Sequence, residues 1–261
     1  MTAKSTLCIT VLMAFSLALC CVASSPGHAQ DKSDLTPKRV LFIGNSYTAQ
    51  IKGALLHMLA NSRYKSTSFE FITKGGATLQ QHLNDPQTLD QIKTGNWDIV
   101  VLQDQSKIPA LQEQYARLFH DAVDTFTEVI RDAGAEPMLY VTWGRRDGDS
   151  KNRDIFPDYD TMQQKLLSAY RDAAERNGLT TAPVGDAWSI IRKKDKALGR
   201  ELYKDDGSHP SSKGAFLASC VFFRSLFNDS LESVQPRGEV TPHEAEVIKK
   251  AALSIDIPHP N

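Results

Sequence analysis

The chain has 261 residues, with 30 Lys and Arg against 31 Asp and Glu and a formal net charge of −1 at neutral pH. So even a balance, without a basic stripe, excludes the electrostatic footprint of a nucleic-acid binder and gives no pull toward an anionic membrane surface. Its 41% hydrophobic residues and the lack of internal repeats or low-complexity tracts describe a globular protein held together by its core.

The first residues have the form of an export signal. Lys4 is the only charged side chain before Asp31, an apolar run covers residues 7–22, and the small-residue site Gly27-His28-Ala29 follows. The apolar run is too short for a membrane span. The expectation is a signal peptide over residues 1–29, one domain over residues 30–261, and a periplasmic or secreted location. Lipid attachment at Cys20 or Cys21 is the less favoured alternative, because Leu19 and Cys20 before them are not small. Cleavage after Ala29 removes Cys8, Cys20 and Cys21, so a mature chain of about 230 residues keeps Cys220 alone and has no internal disulfide.

From Arg39 onward strand-like and helix-like patterns alternate. Residues 39–43, 68–73, 98–103, 137–142 and 180–184 read as strands, and residues 49–60, 110–133, 159–176, 187–196, 211–227 and 243–255 as helices. Ile99-Val100-Val101-Leu102 is apolar throughout, as a strand covered on both faces must be. Phe216, Cys220, Phe223 and Phe227 recur every three or four residues, which is one apolar helix face. Residues 144–157 are charged and rich in Gly and Asp, the composition of a long surface loop. Alternation of this kind predicts an α/β three-layer sandwich: a central, mostly parallel five-stranded sheet with helices on both faces.

The first strand ends abruptly in Gly44-Asn45-Ser46. A serine at the carboxyl tip of a parallel strand lies where open α/β sheets carry their chemistry. Asn45, Ser46 or Thr48 could each cap the helix that follows. Thr48 occupies the place of the second glycine in the Gly-x-Ser-x-Gly elbow, so this is a different architecture from the α/β-hydrolases. About 160 residues later comes Asp206-Gly207-Ser208-His209-Pro210. In a tight turn, Asp-x-x-His lets the carboxylate reach the imidazole Nδ1–H and leaves Nε2 to take a serine proton. Asp205 competes for that place but stands one residue too far. Ser211 or Ser212 after Pro210 opens the next helix.

Acyl transfer also needs donors aimed at the developing oxyanion. The backbone N–H of Ser46 is one. A glycine of Lys74-Gly75-Gly76-Ala77-Thr78, after the second strand, is another. A side-chain amide in Gln103-Asp104-Gln105-Ser106, after the third, is a further candidate. Trp143, Arg145 and Arg146 follow the fourth strand on the same sheet edge, and Trp143 with Arg145 is the candidate substrate platform. His57, His82, His120 and His243 have no spaced partners and read as structural.

These blocks, spread from Val40 to about Phe227, resemble the SGNH hydrolase superfamily, the GDSL-like esterases. The Gly-Asn-Ser-Tyr-Thr start and the Asp-Gly-Ser-His-Pro-Ser end look like an exported bacterial branch. The resemblance implies an SGNH, flavodoxin-like fold with Ser46 as nucleophile, His209 as base and Asp206 as its orienter. It implies an oxyanion hole of Ser46, Gly76 and Gln103, and no metal or organic cofactor. Two departures stand out: Asn45 replaces the Asp of many relatives, and the usual Gly-x-Asn-Asp is missing. Gln103-Asp104-Gln105-Ser106 is instead similar to the Gln-Gly-Glu-Ser run of sialate and related carbohydrate acetylesterases, with Gln103 in the asparagine role and Gln105 as its rival. The implied activity is a carboxylic-ester hydrolase deacetylating an O-acetylated carbohydrate, its partner a small-molecule or glycan ester. The alternatives are a lipid or thioester hydrolase of the same fold, a silent carbohydrate-binding protein, and a metal-dependent phosphoesterase using Asp104, Asp205, Asp206 and His209.

Overall fold

A computed structural model describes residues 38–257. The segment read as an export signal, with Cys8, Cys20 and Cys21, lies outside the described residues. Strands β1 (Arg39–Gly44), β2 (Ser68–Thr73), β3 (Ile99–Leu102), β4 (Glu136–Tyr140) and β5 (Thr180–Ala182) form one sheet in the order β2-β1-β3-β4-β5. Every pairing is parallel. Helices α1 (Ser46–Ala60), α2 (Leu79–Leu83), α3 (Pro86–Thr94), α4 (Glu113–Asp132), α5 (Tyr159–Asn177), α6 (Val184–Lys194), α7 (Lys196–Glu201), α8 (Ser212–Phe227) and α9 (Pro242–Leu253) make the connections and the C-terminal cover. The expected three-layer α/β sandwich is the observed one.

Alternation along the strands builds two cores. Val40, Phe42, Val101, Met138 and Tyr140 pack with α1, α6, α8 and α9, while Leu41, Ile43, Val100, Leu102 and Leu139 pack with α4 and α5. Burying side chains on both faces explains the continuous apolar runs read from the sequence. Helix α8 is buried almost all round rather than along one face, because the sheet lies on one side and α1 and α9 flank the others. Cys220 sits there as a buried free thiol. Among the described residues no helix is long and apolar enough to cross a membrane.

The strand order decides where ligands can enter. The chain leaves β1 for β2 on one side, then returns to place β3 on the other, so the loops after β1 and β3 diverge and open a crevice at their carboxyl ends. Three strands end earlier than the sequence pattern suggests, at Leu102, Tyr140 and Ala182. Gln103 and Val141, the next residues after β3 and β4, still donate their N–H groups to the Ile43 and Ala182 carbonyls, at 2.9 and 3.0 Å. Helices α2, α3 and α7 were not expected. They are too short to show apolar periodicity, and only their caps announce them: Thr78 with Gln81 in a capping box, Asp85 before Pro86, and Asp195. The 144–157 loop is anchored rather than free on the surface, since Asp149 and Phe156 within it are buried.

Candidate active site

The crevice is built first from the turn after β1. Asn45 is the cap of α1: its Oδ1 accepts the Tyr47 N–H at 3.1 Å. Ser46 is therefore the first helical residue, in the turn whose N–H groups have no partner within the helix. Asn45 is further fixed by its Nδ2 donating to the Ala77 carbonyl at 3.0 Å and its N–H donating to Gln103 Oε1 at 3.0 Å. Gly44 makes this tight crossing possible, since a Cβ there would lie 2.4 Å from Thr48 Oγ1 and 2.6 Å from Gln103 Oε1.

The second part is the 204–210 turn. Lys204 N–H donates to the His209 carbonyl and Gly207 N–H to the Lys204 carbonyl, with Gly207 at φ +65°. Asp206 Oδ1 accepts from the N–H groups of Ser208 and His209, both at 2.9 Å, and Oδ2 meets His209 Nδ1 at 2.6 Å. His209 Nε2 lies 2.8 Å from Ser46 Oγ. Partial burial raises the Asp206 pKa, but the His209 ring and the two backbone donors outweigh it and hold the carboxyl at about 2. An ionised carboxylate on Nδ1 fixes the ring tautomer that leaves Nε2 as acceptor toward Ser46. Asp205 does not reach the ring; its carbonyl accepts from Arg146 instead.

Aromatic packing that the sequence reading missed holds the turn in place. Tyr47 lies edge-on to His209 at 5.5 Å, and its hydroxyl is 2.7 Å from Ser208 Oγ. Arg146 N–H donates to the Gly207 carbonyl at 2.7 Å. The only available signal for Tyr47 was its place beside Ser46.

Trp143 corrects the expectation of a substrate platform. It is fully buried, with Tyr47 stacked at 4.8 Å and Trp188 at 4.0 Å, and its Nε1 donates to the Ser208 carbonyl at 3.0 Å. Rings on its faces leave none for a sugar, so it supports the His209 turn from behind. Arg145 is likewise committed inward. Its Nη1 pairs at 2.9 Å with the buried carboxylate of Asp149, which also binds Lys107 at 3.2 Å. That ion-pair node ties the loop after β4 to the loop after β3.

Gln103 corrects the expected oxyanion donor. It is fully buried, and its Oε1 accepts from Asn45 N–H at 3.0 Å and Thr48 Oγ1 at 2.8 Å. Its Nε2 donates to the Asp104 carbonyl. The amide is consumed in bracing the Ser46 turn against β3. Gln105 is half-buried, its Oε1 accepts the Lys107 N–H, and its Nε2 makes no hydrogen bond among the described residues. Gly76 lies in a turn closed by Ala77 N–H to the Lys74 carbonyl, has φ +70°, and has open space where a Cβ would stand. His82, buried in α2, braces the same region through Nε2 to the Gly44 carbonyl at 2.9 Å. Burial lowers its pKa, which suits a neutral ring donating from Nε2.

Among the described residues no three His, Cys, Asp or Glu side chains converge as a metal-ligand set, so Asp104, Asp205, Asp206 and His209 do not form one. A cavity of about 1080 Å³ lies between α5 and α6 beside β5, and Ser46, Asp206 and His209 are not part of its wall. At the Ser46 site the side chains of His209 and Asp206 are 27% and 49% exposed.

No protein-family model and no curated protein matches the sequence. Solved structures do. A protein from Slackia heliotrinireducens assigned as an SGNH hydrolase is 30% identical, with 71% of this chain and 97% of that chain covered and a TM-score of 0.60. A DUF4886 family protein from Bacteroides uniformis is 19% identical over 83% of this chain and 93% of that chain, with a TM-score of 0.66. A catalytic mutant of an acetylxylan esterase from Geobacillus stearothermophilus is 15% identical over 77% of this chain and 97% of that chain, with a TM-score of 0.54.

Proposed function

The chain belongs to the SGNH hydrolase superfamily, and on that premise we propose that it is a serine carboxylic-ester hydrolase that deacetylates an O-acetylated carbohydrate. The observation that carries the reading is the continuous hydrogen-bonded chain from Ser46 Oγ through His209 to the Asp206 carboxylate. Ser46 Oγ attacks the acetyl carbonyl as His209 Nε2 takes its proton. Asp206 stabilises the imidazolium, and the tetrahedral oxyanion is received by the N–H groups of Ser46 and Gly76, with Gln105 Nε2 as the amide donor. Collapse returns the proton from His209 to the leaving sugar hydroxyl and leaves an acetyl-Ser46. Water, giving a proton to His209, then attacks the acyl-enzyme; collapse breaks the bond to Oγ, His209 returns the proton to Ser46, and acetate departs.

The partly exposed His209 and Asp206 suit an ester carried on a bulky glycan, and acetylated xylan is the first substrate to try. Among the described residues the exposed large hydrophobics, Leu56, Leu118 and Leu253, are scattered over α1, α4 and α9, which favours acetyl over long-chain esters. Export through residues 1–29 completes the reading, and the mature protein then begins at Gln30. The test combines p-nitrophenyl acetate, a long-chain p-nitrophenyl ester, acetylated xylan and a fluorophosphonate. Acetyl turnover with a label on Ser46 is expected. A folded wild-type protein that neither hydrolyses acetyl esters nor takes the label at Ser46 rules the proposal out.

A further inference from the structure

Asp104, the residue after Gln103, is 1% exposed, and its Oδ1 accepts two backbone N–H groups: Gln105 at 2.6 Å and Leu79 at 3.1 Å. Leu79 is the first residue of α2, three positions beyond Gly76. Neighbouring residues at the tip of β3 thus hold different loops. Gln103 grips the turn that carries Ser46, and Asp104 grips the segment that carries Gly76. Asn45 closes the circuit by donating to the Ala77 carbonyl. The three loops of the crevice are joined pairwise, and Asp104 is the only one of these clamps that can change charge.

Among the described residues the Asp104 carboxylate has no cationic partner. Lys107, on its own loop, gives its ammonium to Asp149; His82, on α2, is bonded to the Gly44 carbonyl; Tyr170, on α5, is the titratable group that faces it. We propose that Asp104 is a positioning residue for the reaction inferred above: its ionised carboxylate draws the start of α2 onto β3 and thereby sets the Gly76 N–H against Ser46. The proposal rests on that reading of the activity. A carboxylate is a stronger acceptor for two N–H groups than a protonated acid, whose O–H competes as a donor. Burial opposes the charge and lifts the Asp104 pKa to about 7, only partly offset by the Gln105 and Leu79 N–H groups. While the group stays buried, ionisation strengthens its bonds to the Gln105 and Leu79 N–H groups as pH rises through neutrality, although the buried charge costs the fold global stability.

Asp104→Asn separates charge from shape, because the amide oxygen can still accept both N–H groups. It is compared with wild type and Asp104→Ala in the full chain, with kcat and KM for p-nitrophenyl acetate measured from about pH 5 to pH 9. Asp104→Asn is expected to lower kcat about 10- to 100-fold with KM within about twofold, the pattern of a displaced donor. The acid limb of its kcat profile is expected to lose one proton's steepness. Amide hydrogen exchange gives a readout independent of ester chemistry. Residues 76–79 should exchange faster in Asp104→Asn than in wild type. In wild type, after correction for intrinsic rates, they should exchange faster below about pH 6 than above about pH 8. A folded Asp104→Asn with wild-type kcat and an unchanged acid limb overturns the proposal. If wild type shows no ester turnover, the activity reading fails, and unchanged protection of residues 76–79 across pH and in the variant then overturns the clamp as well. Should Asp104→Ala fail to fold, the Asn variant and the wild-type exchange profile still decide.

Discussion

Ser46 and His209, 163 residues apart in sequence, meet with Oγ and Nε2 at 2.8 Å. The contact joins two turns that have no local reason to be near each other. One is fixed by the Asn45 cap on α1 and the other by Asp206, and the stack of Tyr47, Trp143 and Trp188, with hydrogen bonds from Tyr47 and Trp143 to Ser208, sets their spacing.

Removing the nucleophile tests that contact. Ser46→Ala is expected to lower kcat on an acetyl ester by about 10⁴- to 10⁶-fold. Chemical denaturation should change by less than about 1 kcal/mol, since one partly exposed hydrogen bond is lost. Asp206→Asn, which favours the wrong ring tautomer, should cost about 10³- to 10⁴-fold in kcat while leaving KM near wild type. Steady-state kinetics on purified variants checks both.

Gly44→Ala should damage the site through the backbone. The new methyl group meets Thr48 Oγ1 and Gln103 Oε1, so the Gln103 brace on Asn45 must open. A loss of about 1–3 kcal/mol in urea denaturation is expected, together with a fall in kcat larger than any change in KM. Wild-type stability in this variant would show that the crossing has slack.

Trp143 distinguishes support from substrate contact. Trp143→Ala is expected to cost about 3–5 kcal/mol of stability, as for a large buried side chain. Trp143→Phe, which keeps a ring between Tyr47 and Trp188 but drops the Nε1–H to Ser208, should lower kcat with the KM for a glycan ester unchanged. A selective rise in that KM would restore the platform reading.

Asp104 gives the fold a pH dependence of defined sign. Its carboxyl titrates at about 7 in the folded chain and at about 3.9 when unfolded. Between those values the folded state binds more protons, so stability falls as pH rises from about 4 to about 7. The gap corresponds to on the order of 4 kcal/mol, present in full below the unfolded value and lost above the folded one. Asp104→Asn should flatten this slope and be the more stable protein at about pH 8. Urea denaturation at a series of pH values provides the check.

Much of this protein was legible in its sequence for local reasons. Apolar runs such as Ile99-Val100-Val101-Leu102 announce buried strands because each residue meets a core on one face or the other. Gly44-Asn45-Ser46 and Asp206-Gly207-Ser208-His209 carry their turn chemistry within a few residues, so Ser46, Asp206 and His209 could be singled out before any coordinates. Orientation and burial were not local. Whether an amide at a strand tip faces the crevice or the neighbouring turn depends on which loop packs against it, and Gln103 turned inward to Asn45 while Gln105 stayed half-buried. Trp143 follows a strand as a surface platform would, yet rings from α1 and α6 close over it. Asp104 was singled out only as a candidate metal ligand, and only the fold brings Leu79 to it, because contacts between distant segments are set by how the layers pack and leave no periodic trace in the chain.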